Sequence, residues 1–238
     1  MTKSEISAEI HLVTDYRLSI DSSQSLNSEL IESVNALCAR VENADGDDVL
    51  PVLHIVPSEP TTSWPGEVGV HLVNQWERAL RRLERLNALT VTVLEGVCRG
   101  PALDVLLATD YRIATEETLV GVPSHGGEVW PSMTVHRLAQ QLGVANSRGL
   151  VLFGGDVSAV RAQAIGLVNE VTVNVVGAVA AIAQAAPGAG SELAMRRRLL
   201  LDAATVSADE ALGAHLSACE RTLRRATAGA GAALSTAS

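Results

Sequence analysis

The chain has 238 residues, enough for one large α/β domain or a domain with a helical appendage, and 47% of them are hydrophobic although only 3% are aromatic. Its core must therefore be built from Ala, Val, Leu and Ile, which suits helices packed on a sheet. With 18 Lys and Arg against 27 Asp and Glu, the formal charge of −9 argues against a nucleic-acid or anionic-membrane surface, though not against a local basic patch for an anionic group.

Residues 10–21, IHLVTDYRLSID, alternate apolar and polar side chains and predict a strand or a short hairpin. Leu26, Leu30, Val34, Leu37 and Val41 recur at three- and four-residue steps, so a helix follows and ends near the NADGDD turn at 43–48. VLPVLHIV (49–56) reads as a buried strand and PSEPTTSWPGE (57–67) as a loop. From Val68 to Leu89 the pattern is a long amphipathic helix. Val70, Val73, Leu80, Leu83 and Leu86 lie on one side, and Arg78, Arg81, Arg82 and Arg85 lie mostly on the other as a solvated basic face.

TVTVLEG (90–96) is a strand that feeds GVCRGPALDVLLATD (96–110), a permissive loop opening a helix with one acid inside it, Asp104, and a second at its end, Asp110. Further strands are expected at 111–114, 118–122 and 167–171, and helices across 134–142, 145–153 and 158–165. From about Val173 the chain reads as helical, closing in a small-residue tail. Strands alternating with helices over the first 170 residues or so imply right-handed crossovers and a parallel sheet. The later helices lack strand partners and are expected to cap the domain or meet another subunit. Cys38, Cys98 and Cys219 form no CxxC pair and are odd in number, as in a protein with reduced thiols; neither a disulfide framework nor a metal site is expected. The start has no signal-like apolar core and no stretch approaches membrane-spanning length, so a cytoplasmic protein is expected, with no membrane and no nucleic-acid partner.

The ordered set GVCRGPALD, DYRIAT, GVP (121–123), WPSM, a helix ending in Leu142-Gly143, and AQAIGLVNEV (162–171) resembles the crotonase, or enoyl-CoA hydratase/isomerase, superfamily. The likeness is strong over residues 90–172 and one of layout elsewhere. It implies an α/β fold, a ββα spiral core over 1–172, a C-terminal helical oligomerisation region over 173–228 that makes a homotrimer or hexamer, and a flexible tail over 229–238. It also implies an acyl-CoA substrate, with coenzyme A part of the substrate and no separate cofactor. In that family two backbone N–H groups stabilise the thioester enolate, and many hydratases add two glutamates that work on water and the α-carbon.

Carried over residue by residue, the family's oxyanion stretch falls on Gly100, Pro101 and Ala102, with the donor at Pro101, which has no amide hydrogen. Either the donor is a neighbouring amide such as Ala102, or half of the hole is missing. Pro101 also suits the first turn of the following helix. The first glutamate matches Asp104, one methylene shorter; as an isolated acid in an apolar helix it also reads as a surface or capping residue. The second matches Ser124, whose hydroxyl is no unaided acid or base near neutral pH, and Glu128 is a substitute if 124–130 folds differently. His125 reads as a loop histidine and Asp110 as structural. Arg99 and Arg197 are candidates for the CoA phosphates, against the alternative of solvated or intersubunit arginines. The second oxyanion donor belongs to 57–67, which lacks the family's alanine-glycine-aspartate pattern and leaves it unassigned.

Two functions follow from the resemblance. One is a divergent lyase or isomerase acting on acyl-CoA thioesters with Asp104 as its surviving acid or base. The other is an impaired auxiliary protein that binds and stimulates a partner synthase. The departures at Pro101 and Ser124 resemble the hydratase-like DpgB-type proteins of dihydroxyphenylglycine biosynthesis. That likeness implies an antibiotic-type secondary pathway, a polyketide synthase partner, and dehydration with aromatisation as the chemistry.

Overall fold

The computed structural model describes residues 6, 9–11, 13–44, 49–58, 68–125, 128–185 and 190–235. In chain order the elements are β1 (Arg17–Asp21), α1 (Ser28–Glu42), β2 (Val52–Val56), α2 (Val70–Glu84), β3 (Val91–Leu94), β4 (Val97–Cys98), α3 (Pro101–Leu107), β5 (Tyr111–Ala114) and β6 (Leu119–Val120). They continue with β7 (Ser124–His125), β8 (Glu128–Val129), α4 (Met133–Phe153), β9 (Val157–Ser158), α5 (Ala159–Ala164), β10 (Glu170–Val171), α6 (Val175–Ala185), α7 (Gly190–Asp202) and α8 (Ala208–Ser235).

The main sheet is parallel throughout, in the order β1-β2-β3-β5-β10, with Val52 opposite Val91 and Val91 opposite Tyr111. A second sheet joins β4 to β6 in parallel and β6 to β9 antiparallel, and β7 pairs with β8 as a hairpin. The chain lays a strand in the first sheet, a short one in the second, then turns into a helix: β3, β4, α3. This is the ββα spiral expected from the resemblance.

Alternation misleads at the N-terminus. Only Arg17–Asp21 of the expected strand is extended, whereas residues 9–11 and 13 are helical. Ile6 and Ile10 are buried and Val13 packs beside them, so four- and three-residue steps put all three on one apolar cluster with Val91 and Val93. Further along, α1 starts where Asn27 accepts a bond from the Leu30 amide at 2.8 Å, and its buried stripe of Leu30, Val34, Leu37 and Val41 is the one the spacing predicts. In α2, Leu80 and Leu83 are buried, each contributing roughly 1.5–3 kcal/mol, while Val70, the first residue of the helix, is 87% exposed. Arg78, Arg81 and Arg85 are exposed as expected; Arg82 instead bridges to Glu42 of α1, with Nε 2.8 Å from Oε1. The two helices expected at 134–142 and 145–153 are the two halves of α4, which meet at a kink at Gly143, where φ is +75°.

Two compact units make up the chain, Met1–Gly190 and Ser191–Ser238. The first includes α6, because Val175, Ala178 and Val179 bury against Val93 and Ile113 of the sheet. The second is the α7–α8 pair, tied by Arg225 to Glu192 at 2.8 Å, with α8 helical through Ser235. Among the described residues, no helix is long and apolar enough to cross a membrane.

One buried polar pair lies inside the main sheet. His54 on β2 bonds through Nε2 to Glu95 just after β3, and among the described residues its Nδ1 is buried without a partner. Removing only one member strands a desolvated group. Glu95→Leu is expected to lower unfolding free energy by about 1–3 kcal/mol in a urea titration, and His54→Leu/Glu95→Leu together to lower it by less.

Candidate active site

The loop before α3 is shaped by Gly100, at φ 56° and ψ −132°, a conformation that side-chain-bearing residues rarely adopt. Pro101 follows as the first residue of α3. Its missing N–H costs the helix nothing there, because first-turn amides have no intrahelical acceptor. The Asp104 amide already bonds to the Gly100 carbonyl at 3.0 Å. Ala102 and Leu103 therefore carry the first-turn amides.

Asp104 lies on α3 and is 5% exposed. Both of its oxygens are engaged from other helices: Oδ2 accepts from Trp76 Nε1 of α2 at 3.0 Å, and Oδ1 accepts from Thr134 Oγ1 of α4. Thr134 in turn contacts Ser132 Oγ, the N-cap of α4, at 2.6 Å. Burial is the strongest influence on the carboxyl and pushes it up to about 6, against the opposing pull of the Thr134 and Trp76 bonds and the Arg137 charge. Arg137 is itself buried between two carboxylates, with Nη2 2.9 Å from Glu77 Oε2 and Nε 2.8 Å from Glu84 Oε1.

The far end of α3 is pinned as firmly. Buried Arg112 donates from Nη2 to the Leu107 and Thr109 carbonyls at 3.2 and 3.1 Å and to Gln141 Oε1 at 2.6 Å, which fixes the helix to α4. Asp110 accepts from the Thr90 amide and hydroxyl at 2.9 and 2.8 Å and so joins the end of the helix to the start of β3. Asp104 thus sits on a short helix held at both ends, which fixes the position of its carboxyl.

The other residues singled out in the sequence are distributed as follows. Arg99 forks onto Asp156, with Nε 3.0 Å from Oδ1, a pairing that Gly121 permits because a Cβ there would collide with the Asp156 carboxylate. Ser124 and Glu128 lie on the β7–β8 hairpin, Ser124 opposite Val129 and His125 opposite Glu128, and Glu128 is exposed where Asp104 is buried. Arg197 is buried on α7, in the second unit. Residues 59–67, expected to carry the second oxyanion donor, lie outside the described residues. Among the described residues no cluster of three or more His, Cys, Asp or Glu is arranged to hold a metal ion. Trp76, Thr134, Arg137 and Glu77 went unread in the sequence because Trp76 and Thr134 stand 28 and 30 residues from Asp104, beyond the reach of any local period.

The family model for enoyl-CoA hydratase/isomerase matches residues 71–186. A protein of Amycolatopsis orientalis named enoyl-CoA-hydratase is 42% identical over 209 residues, spanning 87% of this chain and 95% of that protein. The chain belongs to the enoyl-CoA hydratase/isomerase family. Its fold matches the crystal structure of an enoyl-CoA hydratase from Bacillus anthracis with a TM-score of 0.69 at 19% identity, over 88% of each chain. It also matches an enoyl-CoA hydratase/isomerase family protein from Silicibacter pomeroyi with a TM-score of 0.71 at 16% identity, over 87% of this chain and 95% of that one. Every residue of the Asp104 cluster falls inside the segment matched by the enoyl-CoA hydratase/isomerase model, and Arg197 falls outside it.

Proposed function

We propose that this enoyl-CoA hydratase/isomerase family member binds an acyl-CoA thioester against the start of α3 and moves protons on the acyl chain with Asp104 as its single acid/base. The observation that carries the reading is the buried Asp104 carboxyl, raised to about 6 on a helix whose first-turn amides, Ala102 and Leu103, immediately precede it. A group poised near the working pH serves both as base and, once loaded, as acid.

For a β-hydroxyacyl thioester the steps balance with one carboxyl. Ionised Asp104 takes the α-proton, and the C–H electron pair moves to the thioester oxygen as an enolate, which accepts a bond from the Ala102 amide. As the enolate collapses to a double bond, the β-hydroxyl leaves with the proton Asp104 has just gained. Water and an enoyl thioester result, and the carboxylate is regenerated. The reverse is hydration. A polyketide-derived thioester of a secondary pathway, of the dihydroxyphenylglycine type, fits this chemistry because loss of water from such chains leads to an aromatic ring. Assembly as a homotrimer or hexamer through the second unit is part of the same proposal; Leu212, Leu216 and Leu223 on α8 are exposed and apolar.

A second reading rests on a specific observation: both Asp104 oxygens already accept bonds from the protein, and Pro101 offers no amide. On that reading the chain assists a partner synthase. Incubating the protein with crotonyl-CoA and other enoyl-CoAs separates the two. Turnover lost in Asp104→Ala supports the enzyme; silence alone, with faster synthase turnover on adding the protein, supports the auxiliary.

Pro101→Gly tests the donor position. Restoring an amide there is expected to raise kcat on an enoyl-CoA at least about tenfold, since a single oxyanion donor is worth on the order of 10²–10³. An unchanged kcat would mean that the Ala102 amide already suffices.

A further inference from the structure

Asp104 is sealed from solvent, so the ionised state in which it starts a turnover can be set by the surrounding pH only through a path across the protein. We propose that Thr134 and Ser132 form a two-hydroxyl relay connecting Asp104 Oδ1 to the surface, with Trp76 the positioning residue that reserves Oδ2 as a pure acceptor. The inference deepens the reading of Asp104 as the acid/base and rests on it.

The donor inventory makes the relay directional. An indole N–H donates and cannot accept, and the carbonyl oxygen of a carboxylic acid is a better acceptor than its hydroxyl oxygen, so the Trp76 bond at 3.0 Å favours keeping Oδ2 unprotonated. The proton is therefore carried on Oδ1, the oxygen that meets Thr134. Each hydroxyl has one hydrogen and two lone pairs, so the chain has two complete arrangements. With Asp104 ionised, Ser132 Oγ–H donates to Thr134 Oγ1 and Thr134 Oγ1–H donates to Oδ1. With Asp104 neutral, Oδ1–H donates to Thr134, Thr134 donates to Ser132, and Ser132 donates outward to water. In both, Ser132 Oγ keeps its second lone pair for the Thr134 amide, 3.2 Å away, so the helix cap survives proton passage. Passing from one arrangement to the other moves one proton from water at Ser132 to Asp104 with no side-chain rotation, and Ser132 is partly exposed where Thr134 is buried.

The charged and titratable groups around Asp104 are Arg137 of α4, with its partners Glu77 and Glu84 of α2, and Cys98 before α3. Arg137 favours the ionised carboxyl and Glu77 disfavours it. Burial pushes the Cys98 thiol well above its usual range, so it stays neutral and offers no competing route for the proton.

The test needs no substrate. With Trp64 and Trp130 replaced by Phe, Trp76 is the sole tryptophan, and its emission reports the charge on the carboxyl to which it donates. A titration near pH 6 that vanishes in Asp104→Asn is the expected baseline. Thr134→Val removes a bond to the charged form and is expected to tighten proton binding roughly tenfold to a hundredfold, moving the midpoint alkaline, with Thr134→Ser restoring it. Ser132→Gly keeps most of the cap strength but cuts the outer hydroxyl; it is expected to leave the midpoint in place and slow the emission change after a pH jump at least about tenfold. Equal midpoints in Thr134→Val and Thr134→Ser, or an unslowed pH jump in Ser132→Gly, would overturn the relay. Intact titration behaviour in a protein that turns over no thioester would instead overturn the function and leave the relay standing.

Discussion

Asp104→Asn is expected to lower turnover of an enoyl-CoA by about 10²–10⁴-fold, the range ascribed to a positioned acid/base, while making the folded protein more stable at neutral pH. The asparagine imitates neutral Asp104: its oxygen accepts from Trp76, and its amide donates to Thr134. The native carboxyl is held at about 6 against an ordinary 3.8, so the folded protein binds this proton more tightly than the unfolded chain. Its contribution to stability is complete below about pH 4 and is lost as pH rises through about 6. A rise of about two pK units corresponds to roughly 3 kcal/mol. The Tm of Asp104→Asn should therefore match the native protein near pH 4, exceed it by a margin that grows as pH rises to about 6, and keep that margin unchanged up to pH 8. The native rate should rise with pH through about 6, since the base must start ionised. Equal Tm values at pH 8 would remove the physical basis for placing acid/base chemistry on this residue.

Arg137→Ala is expected to be the most destabilising single substitution in the site. It leaves Glu77, buried on α2, without the fork that neutralises it, and breaking one side of a buried pair costs about 3–5 kcal/mol. Replacing both partners, as Arg137→Met with Glu77→Leu, is expected to recover most of the loss, because the pair is worth far less than the penalty of an orphaned charge. Urea unfolding of the single and double variants measures both. A loss under about 1 kcal/mol in Arg137→Ala would show that water already reaches Glu77. Arg137 also favours the ionised form of Asp104, so any turnover left in the single variant should have its pH limb moved alkaline.

The sequence carried the scaffold well because the fold is written in local periods. The stripe from Leu30 to Val41, the apolar run of β3 and the exact YRIA strand each depend on neighbours a few residues away. It misread residues 10, 11 and 13 because Ile10 and Val13 fit a short alternation as readily as a helical step, and only the sheet beneath decides between them. Pro101 and Asp104 were legible as positions but not as environments. Nothing in GVCRGPALD announces that the carboxyl would face an indole from α2 and a hydroxyl from α4, since those partners converge only when the spiral closes. The arginines divide in the same way: Arg99 is committed to Asp156, a partner 57 residues away whose carboxylate passes over Gly121.

The most direct measurement is deuterium exchange at the α-carbon of butyryl-CoA bound to saturation, followed by mass spectrometry in D2O. It reports enolate formation without requiring water to add or leave. Exchange that rises with pD through the Asp104 titration and disappears in Asp104→Asn is what the structure predicts. Exchange at the same rate in Asp104→Asn, or none from a fully bound thioester, would contradict the assignment of proton transfer to this carboxyl.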